Sequence, residues 1–167
     1  MPRKILVAGV GNSFFSDDGF GVEVAQRLAD EPHPDWVRVI DFGVRGLHLV
    51  YELLEGAYDT TVLVDTTARG GAPGTVYLIE PESETAPAVP DPHGMSVDAV
   101  LTSLRSLGGD PGRVLIVGCE PDRTGEGIGL SKPVKRAIGE AVKLVRKLIE
   151  REAGEAVRHA GGSGSGG

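Results

Sequence analysis

Two adjacent aspartates, Asp17 and Asp18, stand in the stretch GVGNSFFSDDGFG, between an apolar run and a segment of helical character. One aspartate before a helix is explained by capping, because its carboxylate accepts a hydrogen bond from a free backbone N–H and interacts favourably with the helix dipole, for about 1 kcal/mol. A second carboxylate in a partly buried crevice repels the first unless a positive partner is present, and a metal ion is an economical partner. We therefore expect one of the two aspartates to cap or orient the helix start and the other to point into the crevice as a metal ligand.

Two further residues could complete a metal site. Asp65 closes the apolar run TTVLVD, and the carboxyl end of a central parallel strand faces the crevice where open α/β sheets bind ligands; the alternative is a solvated aspartate or a turn cap. His93 lies in the proline-rich loop PDPHGMSVD, where a lone histidine is more often a surface residue than a ligand. With one carboxylate of the aspartate pair, these residues form an open set of three ligands suited to nickel or zinc. Because the set contains no thiolate, very tight binding is not expected.

The glycine turn of the same stretch also suggests a dinucleotide site, in which glycines let the backbone approach a pyrophosphate at a helix N-terminus. The spacing does not match, because the insert NSFFSD follows Gly11. The two aspartates would also repel a pyrophosphate unless a cation intervened. Nucleotide binding is therefore the weaker interpretation.

The elements that must position these residues alternate along the chain. Apolar runs of strand length occur at residues 5–9, 37–41, 60–65, 75–80 and 113–118, and helical segments at 19–29, 46–55, 96–107 and from Ser131 onward. The first, third and fifth runs are nearly unbroken, as is typical of strands covered on both faces. The alternation predicts an α/β fold, a three-layer α/β/α sandwich with a mostly parallel five-stranded sheet. Only the loop TARGGAPG precedes the fourth run, and a parallel crossover needs a dozen or more residues, so this run is predicted to be an antiparallel edge strand.

The length of 167 residues and the composition predict one α/β domain, residues 1–153, followed by a flexible Gly/Ser-rich tail, residues 154–167. The net charge of −7 disfavours a nucleic-acid partner, because neutralising phosphates requires a basic surface. No apolar run approaches the roughly 20 residues that cross a bilayer, and no secretory signal begins the chain, so we expect a cytoplasmic protein without membrane contact.

The remaining histidines and the single cysteine are not expected to carry chemistry. Cys119 follows an apolar run and is predicted to be a buried, inert thiol. His33 and His159 lie far from any strand end and His48 falls on a helix, so all three are predicted to be structural or solvated.

Five motifs together resemble those of the nickel–iron hydrogenase maturation endopeptidases. They are, in chain order, ILVAGVGNSFFSDDGFGVEVAQRL, VIDFGVRGLHLV, VLVDTT, PHGMSVDAVL and VGCEPDRTGEGIGLSKPV. The similarity runs from about Lys4 to Glu150, nearly the whole predicted domain. The chain departs from the pattern after VGCEP, where Asp122 stands in place of the glutamate of many relatives.

The resemblance implies an enzyme that removes a short C-terminal extension from the hydrogenase large-subunit precursor after nickel insertion. It implies that Asp18, Asp65 and His93 are the catalytic residues and engage the nickel, which the precursor carries and which another divalent ion such as zinc or cadmium can replace in vitro. Asp18 is then the aspartate that points into the crevice, and Asp17 is expected to cap or orient the helix start. Cleavage would then depend on metal loading, because only a loaded precursor completes the coordination shell.

The resemblance also implies that Asn12, Gly43 and Gly46 bind the substrate, with the glycines allowing close approach of a peptide.

Metal-assisted hydrolysis is our hypothesis for the reaction, with the ion polarising a carbonyl or a water and Asp18 or Asp17 handling the proton. Covalent catalysis by Cys119 is weaker, because no base stands near it in the sequence. Two alternatives remain: a nickel-binding maturation chaperone without proteolysis, and, less favoured, a nucleotide-binding module.

Overall fold

The computed structural model describes residues 3–81 and 97–162, with side chains described up to residue 154 in the last helix. The elements are β1 (Ile5–Val10), a 3-10 turn (Ser16–Gly19), α1 (Phe20–Ala29), β2 (Val37–Gly43), α2 (Gly46–Gly56), β3 (Thr60–Thr66), β4 (Val76–Ile79), α3 (Val97–Ser106), β5 (Arg113–Cys119) and α4 (Lys132–Gly162). All five predicted strands and all four predicted helices are therefore present. The helix α4 continues to Gly162, past the residue where the sequence placed the start of a flexible tail.

The strands form one sheet in the order β2-β1-β3-β5-β4. The pairs β1–β2, β1–β3 and β3–β5 are parallel. The edge strand β4 pairs antiparallel with β5. The prediction of a mostly parallel sheet with one antiparallel edge strand is confirmed. Its physical basis is the short connection from β3, which leaves no length for a crossover to a parallel strand.

Helices cover both faces of the sheet, as the unbroken apolar strands predict. On β1, Ile5 and Val7 face a core shared with α1 and α4, whereas Leu6, Ala8 and Val10 face a second core shared with α2 and α3. Side chains alternate between the two faces of a strand, so a strand covered on both sides must be apolar throughout. The result is the predicted three-layer α/β/α sandwich.

The order of the strands creates a crevice beside β1. The chain leaves β1 towards β2 on one side, and the next crossover returns to β3 on the other side of β1. In open α/β sheets, ligands bind outside the carboxyl ends of the strands at such a switch of direction. The fold therefore places the loops that follow β1 and β3 at a crevice suited to a ligand.

Close contact between α1 and the sheet fixes the first of these loops. A Cβ atom at Gly21 would collide with the carbonyl oxygens of Val10 and Val64, so only glycine allows α1 to lie this near β1 and β3.

Within residues 3–81 and 97–162, no helix combines the length and the apolar character needed to cross a bilayer.

We expect Gly21→Ala to lower the free energy of unfolding by roughly 1–3 kcal/mol, because the added methyl group forces α1 off the strands. The matched control is Gly139→Ala in α4, where a Cβ atom meets no other atom within 4 Å. There alanine should raise the free energy of unfolding by up to about 1 kcal/mol through its helix propensity. Urea denaturation measures both, and equal effects of the two substitutions would contradict the close packing of α1.

Candidate active site

Two of the three predicted metal ligands come together at the carboxyl ends of the central strands. Asp18 lies in the 3-10 turn that follows β1, and Asp65 is the penultimate residue of β3. Both residues are half-buried. Because β1 and β3 are parallel neighbours, the segments after them begin at the same edge of the sheet.

Thr66 connects the two carboxylates. Its hydroxyl donates to Asp18 Oδ1 at 3.2 Å, and its backbone N–H donates to Asp65 Oδ1 at 2.8 Å. The other oxygen of Asp18, Oδ2, accepts a hydrogen bond from the Asn12 backbone N–H at 2.9 Å. A single threonine thus holds both acids at one crevice. Sequence reasoning missed this residue, although it follows Asp65 directly in the motif VLVDTT.

Gly11 lies against the turn that carries Asp18. It adopts φ +141°, and a Cβ atom there would collide with the carbonyl oxygen of Asp18 and lie 3.8 Å from Asp65 Oδ1. The absence of a side chain therefore has a direct physical reason at this position. The second glycine of the motif GVGN lets the backbone of the β1 loop lie against the backbone of Asp18.

Asp17 holds its turn through distant partners. Its side chain makes no capping bond to the turn or helix in which it lies, so of the two predicted roles, capping or orienting the helix start, capping is wrong. The fully buried carboxylate accepts hydrogen bonds from the backbone N–H groups of Asp122 and Arg123, both at 2.9 Å. It also accepts from the backbone N–H of Ser131 at 2.7 Å and from the Ser131 hydroxyl at 2.9 Å. Asp17 therefore ties the β1 loop to the segment that leads into α4.

These four hydrogen bonds keep the Asp17 carboxylate charged. Burial by itself raises its pKa, but the bonds from the backbone N–H groups of Arg123, Ser131 and Asp122, together with the Ser131 hydroxyl, outweigh burial and lower the pKa. A buried carboxylate with a lowered pKa and four donors is a structural anion and a poor proton acceptor. Asp122 contributes its backbone N–H, while its side chain is exposed.

Backbone hydrogen bonds extend the same connection. The N–H of Ser16 donates to the carbonyl of Gly127 at 2.8 Å, the N–H of Gly127 donates to the carbonyl of Phe14 at 2.9 Å, and the Ser16 hydroxyl donates to the carbonyl of Gly125 at 2.9 Å. Ser16 has φ +54°, which is unfavourable for a residue with a side chain. Strain of this kind persists only where surrounding contacts hold it, and it clusters at functional sites.

A second buried carboxylate, Glu120, was not predicted as a site residue, and it organises the loop after β3. Its Oε1 accepts hydrogen bonds from the backbone N–H groups of Arg69 and Gly71 and from the Tyr77 hydroxyl, each at 2.8 Å. The hydrogen bond from the Arg69 N–H is the main cause that lowers the pKa of Glu120. The motif VGCEP contains this residue, but its partners are about fifty positions away in the chain, where no sequence spacing points to them.

Two of the three predicted substrate residues, Asn12 and Gly43, line a neighbouring groove of about 430 Å³. Gly43 adopts φ +56°, and its carbonyl accepts a hydrogen bond from the Gly11 N–H at 3.0 Å. Gly46 is buried at the start of α2. Substrate binding by these three residues stays a prediction, as do the metal-binding roles of Asp18 and Asp65.

The third predicted ligand, His93, lies outside the described residues. Among residues 3–81 and 97–162, no group of three or more histidine, cysteine, aspartate or glutamate side chains is close enough to hold a metal ion. His33 contacts the Leu28 carbonyl oxygen at 2.6 Å, and His48 is exposed on α2. Cys119 is fully buried, as predicted, and burial raises the pKa of its thiol to about 12. A thiol with this pKa is inert at neutral pH.

Comparison with known proteins identifies the class to which this fold and site belong. The family model of the hydrogenase maturation proteases, HycI, matches residues 22–148. The chain belongs to this family, and it is an endopeptidase of the α/β type.

Individual relatives agree with this assignment. The hydrogenase expression/formation protein HupD of Rhodobacter capsulatus is 32% identical over 157 residues, covering 87% of this chain and 72% of HupD. The hydrogenase 2 maturation protease of Escherichia coli is 29% identical over 160 residues, covering 92% of this chain and 95% of the relative. The solved structure of the hydrogenase maturating endopeptidase HybD from E. coli matches with a TM-score of 0.75 at 28% identity, covering 89% of this chain and 93% of HybD.

We expect Asp17→Asn to lower the free energy of unfolding by roughly 2–4 kcal/mol, because the amide loses the charge and turns an NH₂ group towards buried N–H donors. Urea denaturation measures the change. The matched control is Asp122→Asn, since Asp122 contributes only its backbone to this cluster. If the Asp17 variant unfolds at the same urea concentration as the Asp122 variant, the buried anion does not hold the two loops together.

Glu120 should contribute a pH-dependent part of the stability. Because its pKa is lower in the folded state than the ordinary value of 4.5, its contribution is present above pH 4.5 and is lost as the pH falls through the folded-state pKa. Glu120→Gln removes the charge and keeps an acceptor oxygen. Thermal unfolding from pH 7 to pH 3 should show a difference between the wild-type protein and this variant that shrinks below pH 4.5, whereas a constant difference would contradict the assignment.

Proposed function

We propose that this endopeptidase removes the C-terminal extension of the nickel–iron hydrogenase large-subunit precursor after nickel insertion and that it recognises the nickel held by the precursor. The observation that carries the proposal is the convergence of Asp18 and Asp65 at one crevice, joined through Thr66. The names of relatives support the hydrogenase context, since the E. coli relative is called hydrogenase 2 maturation protease.

The donor chemistry of the crevice fits a divalent ion presented by a substrate. Each Asp18 oxygen accepts one hydrogen bond among the described residues, and an ionised carboxylate oxygen has a second lone pair that can bind a metal. Two carboxylates without a thiolate form an incomplete, weak set of ligands for nickel. Such a set favours a metal ion that arrives with part of its own coordination shell, and His93 remains the proposed third ligand.

The proton is assigned to Asp18 rather than Asp17. Asp17 is fully buried and its four hydrogen bonds lower its pKa, so it cannot reach a substrate or take up a proton readily. Asp18 is half-buried at the crevice, where an attacking water near a metal-bound carbonyl would lie within reach of a carboxylate. Asp17 then acts by holding the turn that presents Asp18.

The chaperone alternative uses the same ligands without hydrolysis. The matches to maturation proteases and to the endopeptidase structure do not favour it. The two functions differ in the product, because a chaperone would bind the precursor and leave its mass unchanged. We propose that the reaction takes place in the cytoplasm.

We expect Asp18→Asn and Asp65→Asn, each alone, to reduce the trimming rate of nickel-loaded precursor by roughly 100-fold or more, since each removes a charge from the metal-facing set. His93→Ala should have the same effect. Intact mass spectrometry of the precursor measures the loss of the extension, and nickel-free precursor should stay uncut by the wild-type protein.

The matched control is Asp35→Asn, because Asp35 is an exposed aspartate far from the crevice. This variant should trim the precursor at the wild-type rate. Full activity of the Asp18 and Asp65 variants would overturn the proposed site. Binding of nickel-loaded precursor by the wild-type protein without any change of mass would favour the chaperone.

A further inference from the structure

Four large hydrophobic side chains are exposed around the candidate active site. Seven such side chains are exposed in the part of the chain that the structure describes, and four of them follow the carboxyl ends of strands. These four, which we call the apolar rim, are Phe14, Val44, Leu47 and Ile128. Phe14 is 70% exposed and Ile128 is 84% exposed, so their burial against a partner would remove a large apolar area from water.

A shared groove and a backbone hydrogen bond bring three of the four rim residues together. Phe14 and Val44 line the same groove of about 430 Å³, one from the loop after β1 and the other from the turn after β2. The Gly127 N–H donates to the Phe14 carbonyl at 2.9 Å, which places the next residue, Ile128, beside Phe14. Leu47 lies in the first turn of α2, three residues beyond Val44.

The charged groups of the groove are already engaged within the protein. Asp41 accepts hydrogen bonds from the Gly43 N–H at 2.9 Å and from the Gln26 side chain at 3.1 Å. The Arg45 guanidinium donates to the carbonyl oxygens of Phe42 at 3.0 Å and Asp41 at 2.6 Å. Recognition of a charged ligand would have to break these bonds, so the groove is better suited to apolar side chains.

The groove is also continuous with the candidate active site. Asn12 lines the groove, and its N–H binds Asp18 Oδ2. A polypeptide whose cleaved bond lies at Asp18 therefore passes next to the groove. Nothing at the site brings a second copy of this chain to the same place. The protein substrate is therefore the partner that can cover the rim.

We propose that the apolar rim binds an extended apolar segment of the protein substrate next to the cleaved bond. This inference rests on the proposed function. The rim supplies affinity by burying hydrophobic side chains, while the carboxylates at the crevice read the metal. Aromatic anchors at the centre of an interface usually carry a large share of the binding energy, and Phe14 has that position between Val44 and Ile128.

The kinetic test compares Phe14→Ala and Ile128→Ala with Leu107→Ala. Leu107 is 59% exposed at the end of α3, away from the crevice, and is the matched control. We expect the two rim variants to raise KM for nickel-loaded precursor about 10-fold with kcat nearly unchanged, as truncation of a buried anchor does, and the control to leave both constants unchanged. Thermal unfolding confirms that all three variants fold. Wild-type KM values for both rim variants would overturn the inference and leave the proposed function standing.

A cross-linking test decides the question without relying on cleavage. A photoreactive benzoylphenylalanine introduced at position 14 or 128 should form a covalent adduct with the precursor, and the same group at position 107 should not. Equal adducts at all three positions, no adduct from the rim, or adducts only between two copies of this chain would overturn the inference. If the precursor is bound at the rim but never shortened, the proposed function fails and the inferred surface stands.

Discussion

The buried Asp17 carboxylate holds the loop after β1, which carries Asp18, to the loop after β5. It accepts hydrogen bonds from Asp122, Arg123 and Ser131, so the loop after β1 and the loop after β5 cannot separate without leaving a buried anion and several N–H donors unpaired. The adjacent residue, Asp18, faces the other way, towards Thr66 and the crevice. The two neighbouring aspartates thus differ in their surroundings, because Asp17 is a buried anchor and Asp18 lies at the crevice as the proposed metal ligand.

The sheet and the glycine turn supply the other constraint. Parallel neighbours β1 and β3 end at one edge, which brings Asp18 and Asp65 to the same crevice although 47 positions separate them in the chain. Gly11 leaves space for this approach, since a side chain there would collide with the Asp18 backbone. Glu120 holds the loop after β3 by accepting three hydrogen bonds, two from backbone N–H groups of that loop and one from the Tyr77 hydroxyl. The family assignment makes the chain an endopeptidase, and the geometry places two carboxylates together at the crevice of its sheet.

Much of this arrangement could be predicted from the sequence because its causes are local or periodic. Unbroken apolar runs identified β1, β3 and β5, and a short connection identified the antiparallel β4. The role of Asp17 was missed because capping is a local rule, whereas its actual partners lie more than 100 positions away. Thr66 and Glu120 were missed for the same reason. A hydroxyl and a carboxylate gain their roles from loop conformations that no spacing along the chain reveals.

The proposed site requires that the carboxylates of this endopeptidase bind the nickel of its substrate. X-ray absorption at the nickel edge measures the ligands of nickel, on nickel-loaded precursor alone and on a freeze-quenched mixture of the precursor with the wild-type protein. We expect additional oxygen or nitrogen ligands on nickel in the mixture, absent when the Asp18→Asn, Asp65→Asn double variant replaces the wild-type protein. A nickel spectrum that is the same in all three samples would contradict it.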